Sequence, residues 1–133
     1  MLETISLALD AGLLVLIWMV QLIVYPSFVY YEKENLLVWH KKYTGLIALI
    51  VMPLMLGQLG FATYALFDKF QWILALKLIL IVLVWLSTFV YFAPTHGRIS
   101  SGNFSNTTLH QIVQFNWLRT ILWTVVALLS FLT

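Results

Sequence analysis

Four long apolar stretches, separated by short polar ones, account for almost the whole chain. They cover about residues 5–30, 43–67, 72–92 and 109–132. A helix crosses a bilayer core with about 20 apolar residues at a rise of about 1.5 Å each, and every stretch meets that length. The pattern predicts an all-α, four-transmembrane-helix bundle that occupies residues 1–133 as a single domain. Asp68-Lys69-Phe70-Gln71 is all that separates the second and third stretches, so these form a tight hairpin. The third connection, 93–108, is longer and rich in Ser, Gly, Asn and Thr. Thr108, with Gln111 three positions on, has the spacing of a capping box and predicts the start of the fourth helix. Pro26 is expected to bend the end of the first span, and Pro53 and Gly57 to kink or thin the second. No internal repeat is visible. The first stretch has Glu3 in place of a basic leader and ends in Tyr25-Pro26-Ser27-Phe28, which reads as a retained helix rather than a cleaved signal.

The few polar residues within the spans are not scattered. At about 100° per residue, Asp10, Gln21 and Tyr25 of the first span fall within about 60° of one another. His40, Thr44 and Gln58 of the second fall within about 40° on the same geometry. Lys77, Thr88 and Tyr91 of the third, and Asn116, Arg119, Trp123 and Ser130 of the fourth, each fall within about 60°. One stripe per helix predicts one shared polar interior. A polar group turned to lipid would lack a partner, at a cost of several kcal/mol.

Composition agrees with a lipid-facing surface. Hydrophobic residues are 62% of the chain and charged residues 9%, against about 25% charged in soluble domains. There is no cysteine, so disulfides, thiolate metal sites and cysteine nucleophiles are excluded. The net charge of +2 comes from scattered residues, and no basic patch points to nucleic acid. Lys33, Lys41, Lys42 and Arg98 fall in the first and third connections, and Lys69 alone in the second. The positive-inside rule then places those two connections in the cytoplasm and both termini outside it. Helical spans imply a multi-pass protein of the inner (plasma) membrane if the source is bacterial. Tyr30, Tyr31, Trp39 and Tyr43 on one side, and Tyr64 and Trp72 on the other, suit the aromatic belts of the interface.

Ionisable groups inside a membrane are costly and are functional candidates by default. Asp10 and Lys77 sit at similar depth and predict an intramembrane ion pair between spans one and three, with Gln58 nearby. It serves either as a structural latch or as a proton or ion site. Arg119 lies about 14 Å inside the fourth span by the helical rise, and no carboxylate shares its depth. Arginine does not deprotonate, so it needs carbonyls, water or an anionic ligand, or must snorkel with Asn116 and tyrosine hydroxyls as partners. His40, His96 and His110 all fall at the cytoplasmic end. His110 is on the face opposite Arg119 and is expected to face headgroups or a neighbouring subunit. Gly97 is expected to give the backbone freedom to fold His96 back over the bundle mouth. His40 and His96 are either interfacial histidines with no ligand role, or metal ligands, with haem, iron or copper as the cofactors in view, or acid–base groups. No carboxylate joins the histidines within a span, so a di-iron pattern is absent. No serine nucleophile elbow, phosphate-cradling glycine loop or zinc-protease helix occurs.

Trp18-Met19-Val20-Gln21 with Tyr25-Pro26-Ser27-Phe28, Met52-Pro53-Leu54-Met55 with Gln58, and Pro94-Thr95-His96 followed by Asn116-Trp117-Leu118-Arg119-Thr120 and Trp123 resemble a group of small four-helix bacterial membrane proteins of unassigned function. The resemblance implies a site at Gln21, Tyr25, His96, Asn116 and Arg119. In size and helix number the chain is more distantly similar to the anthrone-oxygenase-like membrane proteins and to the haem-bound protoporphyrinogen oxidases. The second family places a haem-ligating histidine in its first helix, and this chain has none there. Three classes stay open. The first is a membrane enzyme, redox in character, acting on a hydrophobic or amphipathic small molecule. In it Arg119, Asn116, Tyr25 and His96 act on substrate, and Gln21, Tyr91, Trp123 and Gln58 help to bind it. The second is a transporter that works as a homo-oligomer, and the third a non-catalytic accessory or pigment-binding subunit.

Overall fold

The computed structural model describes residues 1–133 and contains helices only. The first span runs from Leu2 to Tyr30 as α1 (Leu2–Met19), a π-helical turn (Val20–Val24), α2 (Tyr25–Ser27) and a 3₁₀ turn (Phe28–Tyr30). The second is one unbroken helix, α3 (Lys33–Asp68). The third comprises α4 (Trp72–Ser87), a second π-helical turn (Thr88–Phe92) and α5 (Ala93–Ser100). The fourth is α6 (Asn106–Ser130). All four are long and apolar enough to cross a membrane, and the protein is a multi-pass membrane protein.

Several element ends differ from the sequence pattern. Helix α3 starts ten residues before the apolar stretch it contains, so His40, Lys41 and Lys42 are helical. Its 36 residues would measure about 54 Å, far more than the ~30 Å hydrocarbon core, so its polar first turns project beyond the lipid. The third span likewise continues to Ser100, and His96 lies on α5 rather than on a loop. Gly97 is therefore an ordinary helical position and not a hinge. The chain reverses after α5 at Gly102, whose φ of 81° is in the left-handed region that favours glycine. Helix α6 begins at Asn106, three residues earlier than Thr108 and Gln111 suggest; the backbone N–H of Ser105 donates to Thr108 Oγ1 at 3.3 Å, which makes Thr108 an interior partner of the cap.

The prolines divide into two kinds. Pro53 is accommodated within an unbroken α3. Pro26 and Pro94 each follow a π-helical turn by two residues. A proline ring clashes with the carbonyl four residues back, which here belongs to Leu22 or Val90, the middle residue of each wide turn. The turn opens the backbone where the ring needs room. The first and third spans thus share one local device, a π-helical turn two residues before a proline, at Val20–Val24 with Pro26 and at Thr88–Phe92 with Pro94.

Helix α1 packs on α3 and α6, and α4 packs on the same two, so spans one and three face each other across the bundle axis. Gly57 lets α1 approach α3, since a Cβ there would stand 3.0 Å from Leu9 Cδ1. Of 28 buried residues, nine are polar or charged. Leu49, Ile23, Val90 and Leu118 face outward. The interior remains mostly apolar, and it is the apolar exterior that departs from a soluble domain, as a lipid solvent requires.

At the centre of one half, each span contributes a side chain to a four-way junction. Lys77 Nζ donates to Asp10 Oδ2 at 2.6 Å, and Gln58 Nε2 donates to Asp10 Oδ1 at 2.7 Å. Trp123 Nε1 donates to Gln58 Oε1 at 3.0 Å, and Ser130 Oγ also donates to Asp10 Oδ2. Asp10 and Lys77 are 2% and 5% exposed. Removing one partner of a buried pair costs about 3–5 kcal/mol, while replacing both is far milder. Lys77→Met should therefore lower the thermal unfolding midpoint in detergent sharply, and adding Asp10→Asn should recover most of the loss. Tryptophan fluorescence follows both. A double variant no more stable than the single would contradict this account of the junction.

Candidate functional site

The other half of the interior is organised around Arg119 on α6. Its guanidinium lies over the Phe92 ring, 3.8 Å from the centroid. Nε donates to Asn116 Oδ1 at 3.1 Å, Nη1 to Thr88 Oγ1 at 3.4 Å and Nη2 to Tyr25 Oη at 3.2 Å. Arginine has five N–H donors, so two have no protein acceptor. No carboxylate is among its partners, and the only salt bridge in the protein is the Asp10–Lys77 pair.

Gln21 fixes the frame from the first π turn. Its Oε1 accepts from Asn116 Nδ2 and from Thr120 Oγ1, both at 2.9 Å, and its Nε2 donates to the Val113 carbonyl at 3.1 Å. Asn116 spends its amide protons on Gln21 and so offers its oxygen to Arg119. The guanidinium is held between the two π-helical turns, which carry Gln21 on one side and Thr88 and Phe92 on the other. Wide turns of this kind recur at functional sites.

From Arg119 an unbranched chain of hydrogen bonds runs to the end of α5. Tyr25 Oη lies 2.8 Å from His96 Nε2, His96 Nδ1 lies 2.9 Å from His40 Nε2, and His40 Nδ1 lies 2.7 Å from Ser100 Oγ. The direction follows from donor counting. Arg119 only donates, so Tyr25 Oη accepts from it. The Tyr25 proton then has one acceptor, His96 Nε2. Neutral His96 must carry its proton on Nδ1 and donate to His40, which in turn carries its proton on Nδ1 and donates to Ser100. In the opposite direction the phenol proton would have no acceptor. Packing holds the two rings in place, with His40 and His96 centroids 5.0 Å apart and 24° between planes, and Phe28 edge-on to His40 at 5.4 Å.

This arrangement bears on metal and haem binding. All four imidazole nitrogens already have hydrogen-bond partners. Tyr25 and His40 approach opposite nitrogens of His96, so one ion cannot take all three groups. The two imidazoles meet edge to edge through a 2.9 Å hydrogen bond, which leaves no room for a porphyrin between them. No group of three or more His, Asp or Glu side chains converges as a metal cage. As placed, the histidines are links in a hydrogen-bonded chain rather than a ready ligand set.

The remaining candidates are distributed as follows. Gln58 belongs to the Asp10 junction, not to the Arg119 cluster. Trp123 stands between the two, with its N–H on Gln58 and its ring 5.8 Å from the Arg119 guanidinium carbon. Tyr91 lies outside the chain and packs on Phe92 and Phe115. His110 is exposed. Sequence reasoning missed Ser100, Thr120 and Phe92. Ser100 was hidden because 93–108 reads as a loop; its one available signal was the four-residue spacing from His96. Thr120 and Phe92 each lie four residues from a stripe residue, Asn116 and Thr88.

No family model matches this chain, and no curated protein or solved structure is significantly similar to it. The donor count carries its own check. In ¹⁵N NMR spectra at neutral pH, His40 and His96 should both appear as neutral imidazoles protonated on Nδ1. Tyr25→Phe should release His96 from that form and leave His40 paired with Ser100. Resting wild-type protein with either ring protonated on Nε2 would break the assignment.

Proposed function

We propose that the protein is a membrane-embedded acid–base enzyme acting on a lipophilic small molecule with an acidic hydroxyl or an enolisable carbonyl. The observation that supports this most directly is the unbranched chain Tyr25–His96–His40–Ser100 that starts beside a guanidinium without a carboxylate. Two unused N–H donors and an uncompensated charge suit a developing oxyanion. The relay beside them suits proton removal at the same point. Such a substrate would enter from the lipid, with its polar end at Arg119 and Tyr25.

The step balances as a single proton transfer. The substrate proton passes to Tyr25 Oη as the Tyr25 proton passes to His96 Nε2. The His96 Nδ1 proton moves to His40 Nε2, and the His40 Nδ1 proton moves through Ser100 to water. One proton has then left the substrate for the aqueous phase, and the substrate oxyanion faces Arg119. Both imidazoles have changed tautomer without acquiring charge, which spares the cost of an imidazolium in a lipid-facing bundle. Return along the chain protonates the product. The four basic residues Lys33, Lys41, Lys42 and Arg98 near this end favour a cytoplasmic exit. The likeness to the anthrone-oxygenase-like membrane proteins enters only at this level, as a lipophilic substrate class. A metal- or haem-dependent redox reaction would need ligands beyond the two imidazoles.

Transport of protons across the bundle is disfavoured by one contact. Between Arg119 and the Asp10 junction stands the Trp123 indole, whose N–H donates but cannot accept. The relay therefore opens to one side only. Proteoliposomes holding a pH-sensitive dye should equilibrate no faster than empty ones; a flux that disappears in Tyr25→Phe would replace the enzyme reading with transport.

The direct test uses 2-naphthol, whose absorbance reports ionisation, with protein in detergent at neutral pH. Wild-type protein should bind it as the naphtholate and shift both histidines to the Nε2-protonated form. Tyr25→Phe should cut bound naphtholate at least tenfold, about 1.4 kcal/mol. His40→Gln should slow its formation more than it weakens binding. Equal ionisation in Tyr25→Phe would refute the proposal.

A further inference from the structure

A cavity of about 410 Å³ opens at the opposite end of the bundle and draws its lining from all four spans. It belongs to neither the relay nor the Arg119 cluster, since Gln58 and Trp123 lie between. Its size is within the range of sites for small organic ligands, about 300–1,000 Å³. Lys77 and Ser130, both bonded to Asp10, form its floor. Lys77 is five residues into α4, about 7.5 Å below the helix start by the helical rise.

The floor is unevenly satisfied. Asp10 accepts from Lys77, Gln58 and Ser130, so its carboxylate is well provided. The Lys77 ammonium has three donors and a single protein acceptor, Asp10 Oδ2. It is 5% exposed, and the cavity it lines is where its other two protons can find a partner. The rim carries the opposite sign. Glu3 and Asp68 line it against one cation, Lys69, and none of the three forms a salt bridge. Phe61 and Leu74 give the wall an apolar patch between rim and floor.

We infer that this cavity binds a zwitterion, with an anionic group on Lys77 and a primary ammonium at Glu3 and Asp68. A net-negative rim over a donor-rich ammonium floor selects for charge separation along one molecule. A simple anion would meet two carboxylates on the way in, and a simple cation would meet Lys77 at the bottom. The same chemistry is offered by a free ω-amino acid and by the headgroup of an ethanolamine phospholipid. The site is independent of the acid–base reading above and stands if that reading fails.

The test uses full-length protein in phosphatidylcholine nanodiscs, titrated calorimetrically with 5-aminopentanoate and, separately, with dihexanoyl phosphatidylethanolamine. At least one should bind saturably. Asp10→Asn with Lys77→Met removes both buried charges together and should weaken binding at least tenfold. Glu3→Gln with Asp68→Asn changes only exposed side chains, leaves the fold intact and should weaken it several-fold. Tyr25→Phe, in the other half of the bundle, should bind like the wild type. Binding of 5-aminopentanoate would identify a soluble ligand, and binding of the phospholipid alone a headgroup. Failure of both probes on wild-type protein, or equal binding by the Glu3→Gln/Asp68→Asn variant, would overturn the inference.

Discussion

Asp10 is a carboxylate near the axis of a bundle whose outer face meets lipid, and the packing of all four spans depends on how it is satisfied. Alone, such a charge would be prohibitively expensive to bury. It is held by Lys77 from the span across the axis, by Gln58 from a neighbouring span and by Ser130 from the other neighbour. Gln58 is in turn oriented by Trp123, so the second diagonal is tied to the first. Each bond constrains helix rotation and axial position together, because a slide of one residue moves a side chain about 1.5 Å along and about 100° around its axis. Between lipid-facing helices apolar contact gives little preference over lipid itself, so polar bonds and close packing must set the register. The junction supplies that register, and the Arg119 site in the other half inherits it.

The second constraint is proline. In spans one and three a wide π turn precedes the ring and makes room for it. The same turns carry Gln21, Thr88 and Phe92, with Tyr25 directly after the first. The geometry that relieves two prolines thus also surrounds the guanidinium from two sides. A straight helix would have placed the residues after each turn on a different face. Tyr25, just after the first turn, supplies a hydroxyl to Arg119, and Phe92, the last residue of the second, supplies a ring face. Two similar turns therefore give an asymmetric site, hydrogen-bonded on one side and aromatic on the other.

Much of this was legible in the residues. Four apolar stretches and one polar stripe on each suffice to predict four helices with a shared polar interior. Asp10, Lys77 and Gln58 are apparent because a membrane makes each of them costly. The stripe calculation placed Gln58 with His40 on one face of span two, and this is correct as far as it goes. Depth by the helical rise put Gln58 near Asp10 and Lys77, yet it was also counted among the substrate-binding residues with Gln21 and Trp123, and Trp123 separates it from Arg119. The relay was harder to see. Hydropathy does not extend a helix through Pro94-Thr95-His96-Gly97-Arg98, because a polar helix beyond the lipid and a loop have the same composition. Pairing of His96 with His40 and of His40 with Ser100 depends on α5 continuing there, and only tertiary packing settles that.

Trp123 determines what the two polar regions can do together. It touches both, with its N–H on Gln58 and its face toward Arg119. An indole holds a hydrogen bond in place, but it cannot take a proton on one side and release one on the other. The tryptophan orients the Asp10 junction through its hydrogen bond to Gln58 and packs its ring toward Arg119. It therefore ties the two regions together sterically, while its N–H, a donor only, can accept a proton from neither.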